Sequence, residues 1–170
     1  MFITSYGLFW SRSEVNWHPG KGARNKFRLL GHVGETAKTL RVVDFLNQKG
    51  IYILYNGHGP YYVGITKEKG FGLRLKDHCR NQHADKWDRF SWFGFCAVQK
   101  GKDENDERLY KLKAKLALAK FGSPSETITD TEALLIRAMG LWNVNKTKFK
   151  KATEWLQVRA SEVDKYLGRL

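Results

Sequence analysis

Residues 50–66, GIYILYNGHGPYYVGIT, set two aromatic–aliphatic runs on either side of NGHGP. That turn is rich in residues that tolerate positive φ, so the stretch reads as a β-hairpin. Strand parity then sets its register. If odd positions pair with odd, Ile51, Ile53, Tyr55, Tyr61, Val63 and Ile65 form one apolar face, with Tyr55 opposite Tyr61. Tyr52, Leu54, Tyr62 and Gly64 share the other face, where Gly64 lies opposite Tyr52 and Tyr62 is its diagonal neighbour. Glycine inside a strand costs stability and needs a reason, such as a bulge or a closely approaching ligand. Beside two phenols, the missing side chain reads as a pocket floor. The plainer alternative is a strand pair packed with aromatics.

The whole chain supports a packed, basic protein. Of its 170 residues 42% are hydrophobic and 14% aromatic, enough for a core and too many for wholesale disorder. Lys and Arg outnumber Asp and Glu by 30 to 17, a net charge of +13, which points to a polyanionic partner and to nucleic acid first. A merely soluble basic protein is the bland alternative. Cys79 and Cys96 are too few for a disulfide framework, which favours a reducing compartment. A zinc centre would need Cys79, His83, Cys96 and a fourth ligand, and no CxxC or HxxxH pair supports one. MFITSYGLFWSRSEV lacks the charged start of a signal peptide, and no apolar run is long enough for a bilayer. The expectation is a cytoplasmic protein that does not engage a membrane.

Three zones follow along the chain: a β-rich, basic and aromatic N-terminal extension at 1–49, an organised core at 50–146, and a C-terminal helix packed on that core at 147–170. FITSYGLFWSR and NKFRLLGHVG read as strands around the loop HPGKGARNK, while TLRVVDFLNQKG suits helix or strand. LRLKDHCR has helical character, placing Arg74 and His78 on one face at i,i+4 and turning Leu75 and Cys79 to the sheet. An arginine there is a natural phosphate ligand, because its planar fork stays charged. WDRFSWFGFCAVQK reads as a central strand covered on both faces. NDERLYKLKAKLALAKFG reads as an amphipathic helix with Leu109, Leu112 and Leu116 inward and its lysines outward. In SETITDTEALLIRAMG a helix is expected to start near Thr129–Thr131, with Glu132 in its first turn. Thr129 and Glu132 then fit a capping box, or Glu132 is a hard oxygen ligand for Mg²⁺ or Mn²⁺. Trp155, Val158, Val163 and Leu167 suit a terminal amphipathic helix.

Taken in order, these elements resemble the GIY-YIG nuclease family across residues 48–146. GIY stands at 50–52 and YVG at 62–64, with Val63 where the family has Ile; LRLKDH at 73–78 is similar to the family's Arg-containing helix, and TEALLI at 131–136 to its Glu-containing helix. The resemblance implies an α/β fold of α+β type, a small central antiparallel three-stranded sheet flanked by helices, here with the added N-terminal β-rich segment. It implies hydrolysis of DNA phosphodiester bonds by an endonuclease using one divalent metal, Mg²⁺ or Mn²⁺, leaving 5′-phosphate and 3′-hydroxyl ends. Carried over by position, Tyr52 and Tyr62 are the paired tyrosines, Arg74 the arginine, His78 the common histidine and Glu132 the metal ligand. The closing asparagine is Asn145 or Asn143, and spacing from Glu132 favours Asn145. Arg74 would neutralise charge on the phosphoryl group, with Gly64 beside the bound substrate. Tyr52 would activate water, with help because a free tyrosine titrates near about 10. Tyr62 would orient that water or the phosphate, and the two tyrosines are exchangeable in these roles.

Targeting is expected to lie outside the compact core. Trp10, Arg12, Trp17, Lys21, Arg24, Lys26 and Arg28 interleave aromatics with positive charge. The tryptophans read as packing, and the basic loop with Lys21, Arg24, Lys26 and Arg28 reads as the DNA contact. RNA stays an alternative substrate, and a protein partner or a homo-oligomer an option for targeting. Two rival readings are a catalytically silent nucleic-acid binding module, whose hallmark would be a broken Tyr, Arg or Glu position, and a subunit active only within a repair, restriction or phage-defence assembly.

Overall fold

The computed structural model describes residues 3–22, 25–66, 68–113, 124–140 and 149–168. Its elements are β1 (Ser5–Ser11), β2 (Leu30–Val33), β3 (Arg41–Asp44), β4 (Gly50–Asn56), β5 (Gly59–Thr66), α1 (Phe71–His78), β6 (Arg89–Gly94), β7 (Val98–Asp103), β8 (Asp106–Leu112), α2 (Pro124–Met139), β9 (Thr153–Glu154), β10 (Leu156–Gln157) and α3 (Val163–Leu167). The class is α+β, as the sequence implies. None of the described helices is long and apolar enough to cross a membrane.

The expected three-stranded sheet is the edge of a wider one. Antiparallel β5, β4 and β6 continue into β1 and then β9, giving five strands. β6 is the middle strand, and Phe90, Ser91, Trp92 and Phe93 are all buried, as its covered-on-both-sides pattern requires. A second five-stranded sheet has the order β10-β2-β3-β8-β7. An aromatic core joins the two: the Trp10 and Trp92 rings meet edge to face at 5.4 Å, and Phe45 lies 4.4 Å from Trp92 and 5.2 Å from Trp155. Trp10 thus packs the N-terminal segment against the sheet, as expected of it.

The faces of the first sheet are covered by different helices. Tyr52 and Leu54 of β4 pack with Phe71 and Leu75 of α1, together with Trp87 and Trp92. Ile53 and Tyr55 pack with Ala133 and Ala138 of α2, and the Tyr55 hydroxyl donates to the Ala138 carbonyl at 2.9 Å. Because successive strand residues point to opposite faces, α1 and α2 flank β4 from opposite sides. The odd-numbered face is only half covered, for Val63 and Ile65 on edge strand β5 are 62% and 57% exposed.

Several local expectations are corrected. Residues 106–112 form β8, not a helix; Asp106 sits across a tight turn from Asp103, and Tyr110 pairs in parallel with Val43, so sheet pairing outweighs helical spacing. Leu116 and the lysines beyond Lys113 lie outside the described residues. The terminal helix is confined to α3; Trp155 and Val158 instead give their backbone N–H groups to Tyr6 and Leu30 carbonyls at 2.8 and 2.9 Å, stitching both sheets. The ambiguous stretch at 39–50 yields strand β3.

The hairpin register holds for Ile51, Tyr52, Ile53 and Leu54 against Ile65, Gly64, Val63 and Tyr62. It then shifts: Tyr55 pairs with Pro60, not Tyr61. The bulge puts Tyr61 beside Tyr62 against the α1-side core, so two consecutive tyrosines share one face.

Gly50, first residue of the GIY triplet, has φ +147°, and a Cβ there would collide with the Phe93 carbonyl oxygen across β6. Gly50→Ala is therefore expected to destabilise the protein by about 3 kcal/mol, from backbone strain plus overpacking, read as a lower urea midpoint at an unchanged m-value.

Candidate active site

Four of the sequence-derived residues meet where β4 and β5 face α1. Tyr52 and Tyr62 lie side by side on adjacent strands with ring centroids 6.1 Å apart. Arg74 and His78 stand one turn apart on α1, as their spacing predicts. The Tyr52 ring is fully buried and its hydroxyl end lies over Gly64, whose missing side chain makes room for it, since a Cβ would collide with the ring. The space read as a substrate pocket floor is filled by the phenol itself.

The Tyr52 hydroxyl ends on His78 Nε2 at 2.7 Å. The network around Asn81 settles which atom donates. Asn81 Oδ1 accepts the backbone N–H of His83 at 2.9 Å, so its Nδ2 is left to donate to His78 Nδ1 at 3.2 Å. Nδ1 is an acceptor, so neutral His78 carries its proton on Nε2 and donates it to Tyr52 Oη. Burial keeps His78 neutral by lowering its pKa, and the positive Arg74 and nearby His83 act in the same direction. The Tyr52 phenol is pushed up to about 12, chiefly by burial, with Arg74 opposing through its hydrogen bond and its charge. Arg74, half-buried, has its own pKa raised by the two phenols, Tyr52 first.

Sequence reasoning missed three further members of this cluster: Tyr61, Asn81 and His83. The His83 ring lies tilted 4.9 Å from the Tyr62 ring and edge to face 5.1 Å from His78, and its Nδ1 meets the Tyr61 hydroxyl at 2.9 Å. The available signals were Pro60, which has no N–H to keep β5 in register, and a second histidine in the turn after α1.

The remaining candidates lie elsewhere. α2 begins at Pro124, whose fixed φ suits a first helical position, so Glu132 falls in the helix interior, not in the first turn, and the capping box does not form there. Glu132 is exposed, on the helix that covers the sheet face opposite α1 and touches edge strand β5, and it is not among the leading influences on Tyr52, Arg74 or His78. Among the described residues no three His, Cys, Asp or Glu side chains cluster as a metal centre. Asn143, Asn145 and Arg24 lie outside the described residues. Lys21 and Lys26 are exposed, but Arg28 is held at 2.7 Å by Asp106, which also binds Arg108 at 2.9 Å. The loop carrying Lys21 and Lys26 docks on α1: His18 Nε2 meets the Arg80 guanidinium at 2.9 Å, and the Lys76 ammonium sits 4.6 Å over the Phe27 ring.

With paired tyrosines, arginine and histidine in one cluster, the comparison with known families is decisive. The family model for the GIY-YIG catalytic domain matches residues 48–140, more than half of the chain. The chain belongs to the GIY-YIG family. No curated protein and no solved structure gives a significant match to it. The GIY-YIG domain is a catalytic nuclease domain, so this protein is an endonuclease, a phosphodiester hydrolase acting on nucleic acid. GIY-YIG nucleases are in general dependent on a divalent metal.

The lowered His78 pKa has a signed consequence for stability. Below its unfolded value of 6.5 the unfolded chain binds a proton that the folded chain refuses, so stability present at pH 7 declines as pH falls through 6.5 toward the folded value. His78→Gln is expected to flatten that part of the curve, checked by urea midpoints between pH 7.5 and 5 for both proteins.

Proposed function

We propose that the protein is a divalent-metal-dependent DNA endonuclease in which Tyr62, Arg74 and Glu132 act on the substrate while Tyr52 and His78 hold the site in place. The convergence of Tyr52, Tyr62, Arg74 and His78 on the Tyr52–His78 hydrogen bond is the observation that supports it most. Residues 50–146 are taken as the catalytic core, with targeting supplied by residues 1–49.

The donor chemistry at Glu132 suits Mg²⁺ or Mn²⁺. An exposed carboxylate fits an ion that keeps several waters and takes further oxygens from a phosphate, and it needs no cluster of protein ligands. Such an ion, when bound, supplies Lewis acidity toward a phosphate oxygen. The chain's own residues do the rest. Arg74 is charged at every working pH and neutralises the phosphoryl oxygens as charge grows on them. Tyr62 is half-exposed and Tyr52 is buried, which supports giving them different roles. Tyr62 faces the substrate and orients the attacking water. Tyr52, raised to about 12 and accepting the His78 proton, holds the strand, Arg74 and α1 in one geometry. The products are 5′-phosphate and 3′-hydroxyl ends.

DNA binding is supplied by the outer face of α1 and the loop docked on it. Lys21, Lys26, Lys76 and Arg80 form a positive surface continuous with the helix of Arg74, suited to phosphate contacts that position the duplex. Arg28 is left out of it, since its charge is spent on Asp106.

Cleavage of supercoiled plasmid tests the reading. Wild type is expected to nick or linearise it with Mg²⁺ or Mn²⁺ and not in EDTA. Glu132→Ala should be inactive, and Arg74→Ala should lose about 10²–10³-fold in kcat. Activity in EDTA, or a fully active Glu132→Ala, would overturn the metal assignment.

A further inference from the structure

The two histidines of the cluster are used differently. His78 is buried, and both its ring nitrogens are committed inside the protein, Nδ1 to Asn81 and Nε2 to Tyr52. His83 is half-buried, and only Nδ1 is engaged, by the Tyr61 hydroxyl at 2.9 Å. Its Nε2 has no partner among the described residues. The ring is nonetheless placed firmly: Tyr62 lies 4.9 Å away, His78 5.1 Å away, and the His83 backbone N–H is tied to Asn81 Oδ1 at 2.9 Å. A half-exposed imidazole, oriented through one nitrogen with the other free, is the arrangement of a general base.

We propose that His83 is a catalytic residue of this nuclease, taking a proton on Nε2 from the attacking water while Tyr61 Oη accepts the Nδ1–H and holds the ring. This rests on the nuclease reading above. The water O–H bond breaks, its proton passes to Nε2, and the freed electron pair forms the new P–O bond. The P–O bond to the 3′-oxygen breaks, and that oxygen leaves with its pair and takes a proton from solvent. His83 then returns its proton to solvent. His78 is left as a positioning residue acting through Tyr52, which explains why a histidine at that place has no nitrogen to spare.

The titratable and charged groups facing His83 are Tyr61 and Tyr62 from β5 and His78 from α1, with Arg74 behind it; Asp85 and Lys86 follow on the same turn and are exposed. Among the described residues none of them is a carboxylate in contact with the ring.

The test is the pH profile of kcat/KM for wild type, His83→Gln, Tyr61→Phe and His78→Gln on one DNA substrate. Wild type should show an acid limb falling tenfold per pH unit as the base is protonated. His83→Gln should lose at least about 10²-fold in kcat with little change in KM, and its acid limb should vanish. Tyr61→Phe should move that limb, and His78→Gln should keep it. Urea midpoints of the four proteins separate lost chemistry from lost fold. An active wild type alongside a His83→Gln variant of equal rate and unchanged limb overturns this proposal alone; a wild type that never cuts brings down the nuclease reading with it. Long-range ¹H–¹⁵N correlation on the free wild-type protein gives a readout apart from cleavage: neutral His83 is expected to carry its proton on Nδ1, and a proton on Nε2 overturns the proposal.

Discussion

A phenol with no exposed surface keeps its hydroxyl in a protein only where partners stand ready for it, and Tyr52 meets that condition first at His78 Nε2 and also at the Arg74 guanidinium. The rest of the site hangs on the first contact. It needs the ring to lie over the neighbouring strand, which only glycine at position 64 permits. It needs β4 to run hard against β6, which only glycine at position 50 permits. It also needs α1 to enter at a fixed height, and the first N–H groups of that helix are bound by the Gln48 and Leu46 carbonyls just before β4, each at 3.0 Å. The GIY and YVG triplets are therefore packing instructions as much as chemical ones: each glycine clears the path for an aromatic or a strand, and the result aims an arginine at the surface.

How far the chain can be read without its structure follows from the range of the forces involved. Parity and the i,i+4 rule are local, and they placed Tyr52 against Gly64, and Arg74 with His78, correctly. The bulge beside Pro60 is also local, but its effect is a change of side for one residue, and alternation carried past it put Tyr61 on the wrong face. β8 and the C-terminal strands were hidden for a different reason. Leu109 and Leu112 fit a helix as well as a strand, and Trp155 and Val158 likewise; what decides them is pairing with β3, β1 and β2, far away in sequence. Glu132 was legible as a residue type in a family pattern, while its place in the interior of α2 depended on where that helix begins.

Charge is the other property that composition overstates. A net +13 suggests a wide electropositive coat, yet Arg28, nominally part of the basic loop, is closed into a knot with Asp106 and Arg108. The pair holds Asp106 well below the usual carboxylate range. The loop instead docks through Phe27 on Lys76 of α1, through His18 on Arg80 just beyond it, and through Trp17 on Trp87. The aromatics of the N-terminal segment work as fasteners.

Asn81 serves both histidines with a single amide, its oxygen on one side and its nitrogen on the other. Aspartate has almost the same shape but offers two acceptors and no donor. At this one exposed position, an exchange of NH₂ for O⁻ would call the His78 proton to Nδ1 and strip it from Nε2, reversing the direction in which the buried phenol must hydrogen-bond. The polarity of the whole Asn81–His78–Tyr52 chain is written in one surface amide, so a single Asn-to-Asp exchange inverts it with no change of side-chain shape.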